Sequence, residues 1–293
     1  MYLGVQGLMP TDLNEVDEKT TSNIRKHGFT GVACRYFDPM NVTKNEVTRL
    51  RSVLSDGGID PCQVVAQHPD LISRSFSERG KGIEAMQKMC QVASWLEAGN
   101  LYVRPGSLNP DGSWFAHPDN HSDETFETLV ESLTEVCKAA EQENVMLAVE
   151  GHTLSILDTP ERILDLINTV GSEKLRFNMD PVNFVSSLKD AYSTTSLQEH
   201  IYEVLGPYII CGHAKDFFVQ NRLVIHLEET IIGEGILDQQ IFLEGFETHC
   251  PAGYVQIEHL PEHQIPIARK NLYKIGIEAG AVSYTHLTLP TKA

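Results

Sequence analysis

LAVEGH (147–152), FNMDP (177–181), CGHAKD (211–216) and VQIEHL (255–260) share one design. Each is a short apolar run of strand-like composition that reaches a residue able to ligate a hard divalent metal. Those residues are Glu150, Asp180, His213 and Glu258, about 30 to 45 positions apart. Such intervals suit successive βα units, which place the C-terminal ends of their strands on one common face. Three carboxylates and one imidazole meeting there make an expected site for one divalent ion, Mn²⁺, Mg²⁺ or Co²⁺. Sites of that kind perform chemistry on small oxygen-rich molecules.

The same rhythm runs outward in both directions. Strand-like YLGVQG (2–7), TGVACRY (30–36), CQVVAQH (62–68) and NLYVRPG (100–106) alternate with helix-like 13–28, 45–58, 82–99 and 122–144. In the last of these helices Ser122 or Asp123 is expected as the N-cap. Downstream, VMLAVE, KLRFNMD, YIICGHAKD and GYVQIE alternate with helices expected at 159–171, around 197–206, at 236–249 and at 261–280. Pro160 fits a first helical turn and Gly171 a stop. FFVQNRLVIHLEET (217–230) reads as an inserted hairpin. Eight alternations without a break in composition predict a single α/β domain, a (β/α)8 TIM barrel over residues 1–281. A doubly wound dinucleotide-binding sheet is the other option, but no GxGxxG follows the first strand.

Composition narrows the function. The 293 residues carry 23 basic and 40 acidic side chains, a net charge of −17. That balance argues against a nucleic-acid or anionic-membrane surface, since both need clustered Lys and Arg. The six cysteines at 34, 62, 90, 137, 211 and 250 form no CxxC pair and read as reduced thiols. No basic-then-apolar leader opens the chain and no apolar run is long enough to span a membrane, so a cytoplasmic protein is expected. The last stretch, VSYTHLTLPTKA (282–293), breaks from the preceding helix and resembles translated sequencing-adapter ends. It is read as a non-native or disordered tail.

At the four segments the chain resembles the xylose isomerase-like TIM-barrel superfamily, the sugar phosphate isomerase/epimerase group, over roughly residues 1–280. The pattern of E-x-H after strand five, D after strand six, H-x-K-D after strand seven and E after strand eight falls on Glu150/His152, Asp180, His213/Lys215/Asp216 and Glu258. The GEGILD segment (233–238) also resembles a stretch of that family. The resemblance implies that Glu150, Asp180, His213 and Glu258 ligate one divalent ion. It implies as well that Glu150 and Glu258 are the proton-transfer pair of a sugar isomerase or epimerase. Two positions depart from the ketose 3-epimerases: Asn183 stands where they carry His, and Val219 where they carry Arg. A dehydratase of the inosose dehydratase type, or a non-catalytic sugar-binding barrel, are the alternatives.

The chemistry accounts for the residue types. A carbanion beside a carbonyl is unstable, and an ion bridging carbonyl and neighbouring hydroxyl stabilises the enediolate. A carboxylate on either face can then remove and return a proton. His152, Lys215, Arg104, His68 and Trp114 are the candidate substrate-binding residues. Each has a plainer reading: support of Glu150 for His152, a surface pair with Asp216 for Lys215, a structural ion pair for Arg104, loop packing for His68 and Trp114. Trp114 lies in a long turn-rich loop, 104–121, that could cover a sugar. His259 follows Glu258 and is expected to alternate away from the site. The expected partner is a small carbohydrate, and the reading leaves room for a homo-oligomer.

Overall fold

Strand and helix alternate from Tyr2 to Glu278 in a computed structural model that describes residues 1–280. The strands are β1 (Tyr2–Val5), β2 (Gly31–Tyr36), β3 (Asp60–Ala66), β4 (Leu101–Val103), β5 (Leu147–Val149), β6 (Leu175–Met179), β7 (Ile209–Ala214), β8 (Asp216–Val219), β9 (Leu227–Thr230) and β10 (Tyr254–Ile257). All but β8 and β9 pair in parallel and close into one barrel, in the order β1-β10-β7-β6-β5-β4-β3-β2. The expected (β/α)8 barrel is therefore the fold. β8 and β9 form the expected hairpin, paired antiparallel from Asp216↔Thr230 to Val219↔Leu227. The tail at 282–293 lies outside the described residues.

The helices are α1 (Glu18–Lys26), α2 (Lys44–Asp56), α3 (Phe76–Leu96), α4 (Asp123–Glu143), α5 (Pro160–Val170), α6 (Leu188–Ala191), α7 (Thr194–Leu205), α8 (Gln239–His249) and α9 (Ile265–Glu278). Their starts follow the caps. Ser122 accepts the Thr125 N–H at the head of α4, and Thr159 accepts the Arg162 N–H ahead of Pro160 in α5. Gly171 ends α5 with φ +68°. α3 begins six residues before the start expected at 82, on an N-cap at Ser75. Gly80 and Gly82 hide that first stretch from a propensity reading. Gly82 has a packing reason: a Cβ there would stand 2.5 Å from the Pro69 carbonyl oxygen.

Strand alternation sorts the side chains into two populations. Val103, Val149, Phe177, Met179, Val255 and Ile257 face outward and are fully buried in one core shared with the helices. Each such side chain contributes roughly 1.5–3 kcal/mol by leaving water. The alternate residues face the barrel axis, and many are polar. Gln63 donates to Asn100 Oδ1 at 3.0 Å, Asn100 donates to the Cys62 carbonyl at 3.1 Å, and the Cys211 thiol donates to Asn178 Oδ1 at 2.8 Å. This polar floor lies beneath the strand ends. All six cysteines are free thiols, and no described helix is long and apolar enough to cross a membrane.

Candidate metal centre and substrate cavity

Glu150 and Asp180 immediately follow β5 and β6, His213 is the penultimate residue of β7, and Glu258 immediately follows β10. Barrel closure brings their ligand atoms within 4.8 Å of one another, and all four side chains are buried. His213 Nδ1 lies 2.9 Å from Glu150 Oε1 and 3.2 Å from Glu258 Oε2. The other ring nitrogen, Nε2, lies 3.0 Å from Gln63 Oε1. A hydrogen on Nε2 donated to that acceptor fixes the ring, so Nδ1 is the atom turned to the carboxylates.

The neighbours hold each carboxylate in place. Tyr102 donates its hydroxyl to Glu150 Oε2 at 2.7 Å, and Asn178 donates to Glu150 Oε1 at 2.7 Å. Gln6 donates to Glu258 Oε2 at 2.9 Å. The Lys215 ammonium lies 2.8 Å from Asp180 Oδ2 and 2.8 Å from Glu258 Oε1, and donates to Asn183 Oδ1 at 3.3 Å. Lys215 is thus a buried member of the cluster, and Asp216 is not its partner. Asp216 instead accepts backbone N–H groups from Phe217, Gly233, Gly235 and Leu237. Gly235 makes that possible, because a Cβ there would stand 2.1 Å from Asp216 Oδ1. The resemblance in GEGILD therefore reports a loop wrapped on Asp216.

The charges are strongly coupled. Burial pushes the Glu150 and Glu258 carboxyls up, but the His213 and Lys215 charges outweigh it and hold both below the usual range. Burial dominates at Asp180 and, against the pull of Lys215, raises it to about 7. Burial pulls His213 down, yet Glu258 and Glu150 push it up to about 10. Lys215 stays charged because Asp180 and Glu258 outweigh its burial.

These residues fit a hard divalent ion. Three carboxylates face the Lys215 ammonium and the His213 ring, and once that ring is neutral, as a ligand must be, burial makes the excess of negative charge costly without a further cation. Neither Asp180 oxygen accepts a well-directed hydrogen bond, and among the described residues its ion pair is with Lys215. The donor set, three oxygens and one imidazole nitrogen, suits Mg²⁺, Mn²⁺ or a similar ion.

A cavity of about 590 Å³ opens above the cluster, lined by Tyr102, Glu150, His213, Lys215 and Glu258 below. Of the other candidates, Arg104, His152 and Trp114 line it and His68 does not. Arg104 is 3.1 Å from Asp70 and also donates to the His68 carbonyl. His68 turns Nδ1 to the Pro69 carbonyl at 2.7 Å, and burial, then the Arg104 charge, push it down to about 3. His152 packs its ring against Trp114, with centroids 5.7 Å apart, and accepts the Leu154 N–H on Nδ1. Among the described residues no hydrogen bond or ion pair joins it to Glu150, whose oxygens are held by Tyr102 and Asn178.

His259 is also in the lining, against the expectation from strand alternation. β10 ends at Ile257, and His259 adopts φ +59°, a left-handed conformation uncommon outside glycine. The turn swings its ring to Glu229 of β9, 3.0 Å away. Glu229, Gln6, Tyr102, Asn178 and Gln63 were absent from the sequence-based set. Tyr102, Asn178 and Gln63 had a signal, since each is a polar interruption at inward spacing in an apolar strand. Gln6 and Glu229 had none, because barrel closure and the hairpin bring them in.

The chain belongs to the xylose isomerase-like TIM barrel family, whose model matches residues 22–278. No curated protein matches it. Among solved structures, it is similar to a xylose isomerase-like TIM barrel protein from Mycobacterium smegmatis in complex with magnesium. That match has TM-score 0.72 and 14% identity, and covers 96% of this chain and 98% of the other. It is similar to an L-ribulose 3-epimerase, with TM-score 0.71, 16% identity and 97% and 99% covered. It is also similar to a probable 3-DHS dehydratase from Bacillus anthracis, with TM-score 0.69, 16% identity and 93% and 98% covered. At these identities the likeness is one of fold.

Proposed function

We propose that this protein is a divalent-metal-dependent isomerase or epimerase of a sugar, sugar phosphate or polyol ketone, acting by proton transfer at the carbon beside the carbonyl. One observation carries the reading. Glu150 and Glu258 approach His213 Nδ1 from two strands, beside Asp180, at the floor of a cavity large enough for a sugar. A divalent ion held by Glu150, Asp180, His213 and Glu258 would supply Lewis-acid polarisation of the carbonyl and its neighbouring hydroxyl.

The chain's own residues do the remainder. Glu150 and Glu258 are ionised at neutral pH, so either can accept the substrate proton. Tyr102 and Asn178 fix the Glu150 oxygens, and Gln6 and Lys215 fix those of Glu258. Removal by one carboxylate and return by the other to the opposite face of the same carbon inverts a centre; return to the neighbouring carbon, with the hydroxyl proton passing to the old carbonyl oxygen, moves the carbonyl. Trp114 and His152 offer an aromatic wall to the C–H face of a sugar.

A dehydratase is the second reading, favoured by Lys215. Its ammonium sits beside Glu258 and can give a proton to a departing β-hydroxyl, while Asn183 stands in place of the epimerase histidine. A screen of ketoses, sugar phosphates and keto-inositols with Mn²⁺, Mg²⁺ or Co²⁺ in D₂O separates the readings. Deuterium uptake with all hydroxyls retained supports the isomerase, and uptake with loss of water the dehydratase. No uptake from any of them would leave a sugar-binding barrel. Free thiols and an acidic surface agree with a cytoplasmic enzyme acting on small molecules.

A further inference from the structure

Arg35, on β2, is the exposed arginine of the cavity wall, and no carboxylate lies within ion-pair reach of its guanidinium among the described residues. This is unusual company in a chain with 40 acidic side chains. Its nearest polar contact is Gln6 Oε1, 3.5 Å from Nη2, a long and weak bond. The same amide donates through Nε2 to Glu258 Oε2 at 2.9 Å. Gln6 is therefore oriented by Glu258, with its oxygen turned to Arg35. One amide separates the guanidinium from the proposed proton-transfer carboxylate. Arg35 also borders a second cavity of about 360 Å³, between the loops after β1 and β2, where Asp12, Asp38 and Glu46 stand without engaging it.

The wall of the main cavity is polarised. Glu229 and His259 pair on the β9–β10 side, and Trp114 and His152 stand on the β4–β5 side. The cation is on the β1–β2 side, and Lys215 is already spent on Asp180 and Glu258 at the floor. A neutral sugar would offer that guanidinium only uncharged hydroxyl oxygens, the weaker acceptors. An anionic substituent would meet five N–H donors in a fork that fits carboxylate or phosphate oxygens.

We propose that Arg35 selects the substrate class: a sugar or polyol ketone bearing an anionic group, carboxylate or phosphate, placed at the β1–β2 side of the mouth. This rests on the reading of the cavity as a sugar site. The test is binding of three probes to the full chain with Mn²⁺ present, followed by calorimetry: D-fructose 6-phosphate, D-fructuronate and neutral D-fructose. The wild type should bind at least one acid tenfold or more tighter than fructose, about 1.4 kcal/mol. Whichever acid wins identifies the anion. Arg35→Gln should remove that preference and leave fructose binding unchanged, while Arg35→Lys should keep part of it. Equal binding of all three probes by the wild type would overturn the proposal, as would an acid preference that survives Arg35→Gln. Deuterium uptake on the same probes keeps the two readings apart. An Arg35-dependent preference without uptake sustains the anion site and counts against proton transfer on these probes; uptake with all hydroxyls retained but without the preference sustains the isomerase and removes the anion site.

Discussion

The Lys215 ammonium lies 2.8 Å from Asp180 Oδ2, inside the set of groups that would hold a metal. Both side chains are almost wholly buried. The pair is one cation shared among carboxylates, so removing it leaves charge without a partner. Lys215→Met should cost about 3–5 kcal/mol, and a bound ion should offset part of that loss. The melting temperature should therefore fall more in chelator than in excess MnCl₂. An equal fall in both would show that Lys215 and the ion do not compensate the same charges.

Metal uptake should release protons. His213 is pushed up to about 10, so at pH 8 it is protonated, and it can ligate only as neutral imidazole. Binding at pH 8 should release about one proton, measured by calorimetry in buffers of different ionisation enthalpy. Asp180, raised to about 7, should add to the count near pH 6.5. His213→Ala and Asp180→Ala should each lose most of the metal by elemental analysis. Wild-type content in both variants would remove the site.

Glu150→Gln and Glu258→Gln keep shape and one oxygen ligand but cannot accept the proton. Each should lower deuterium uptake by about 10²–10⁴-fold. Metal occupancy is measured in the same samples. A fully loaded variant with near-normal uptake would release that residue from its acid–base role.

The barrel was legible because alternation and strand-end chemistry recur in the same phase. LAVE, FNMD, CGH and VQIE each bring a polar residue to the inward phase at a strand end, so four candidate ligands are legible in the sequence alone. What could not be read depends on backbone breaks and closure. The left-handed turn at His259 reverses the facing that alternation assigns it. Gln6 meets Glu258 only because β1 pairs with β10, from Tyr2↔Tyr254 to Val5↔Ile257. Lys215 reads as an exposed partner of Asp216 until the Asp216 carboxylate is seen wrapped by backbone N–H groups.

The loop after β4 separates structure from proposed binding in two of its residues. Asn120 is fully buried, accepts the Leu108 N–H and donates to Ser107 Oγ and the Leu154 carbonyl. Trp114 is 37% exposed and faces His152. Asn120→Ala should lower the melting temperature by several degrees, since it strands buried groups at about 1–3 kcal/mol each. Trp114→Ala should change stability little and raise KM. A large drop in melting temperature with KM unchanged would make Trp114 a packing residue.

Residues 282–293 are proposed to be dispensable, from their break in composition. Deleting them should move the melting temperature by less than about 5 °C and leave deuterium uptake unchanged. A larger shift would make the segment part of the native protein.

The pairing of β1 with β10 also sets when the protein can first work. A ribosome delivers β1 long before Glu258, and the proposed ligand set lacks a member until then. A nascent fragment without β10 has only three of the four proposed ligands. An ion held as proposed would thus find all four ligands only after β10 is made and the barrel closes, and a chain stalled before β10 presents an open seam of strand edges between β1 and β7. Quality control in the cell could distinguish the two states by that seam alone.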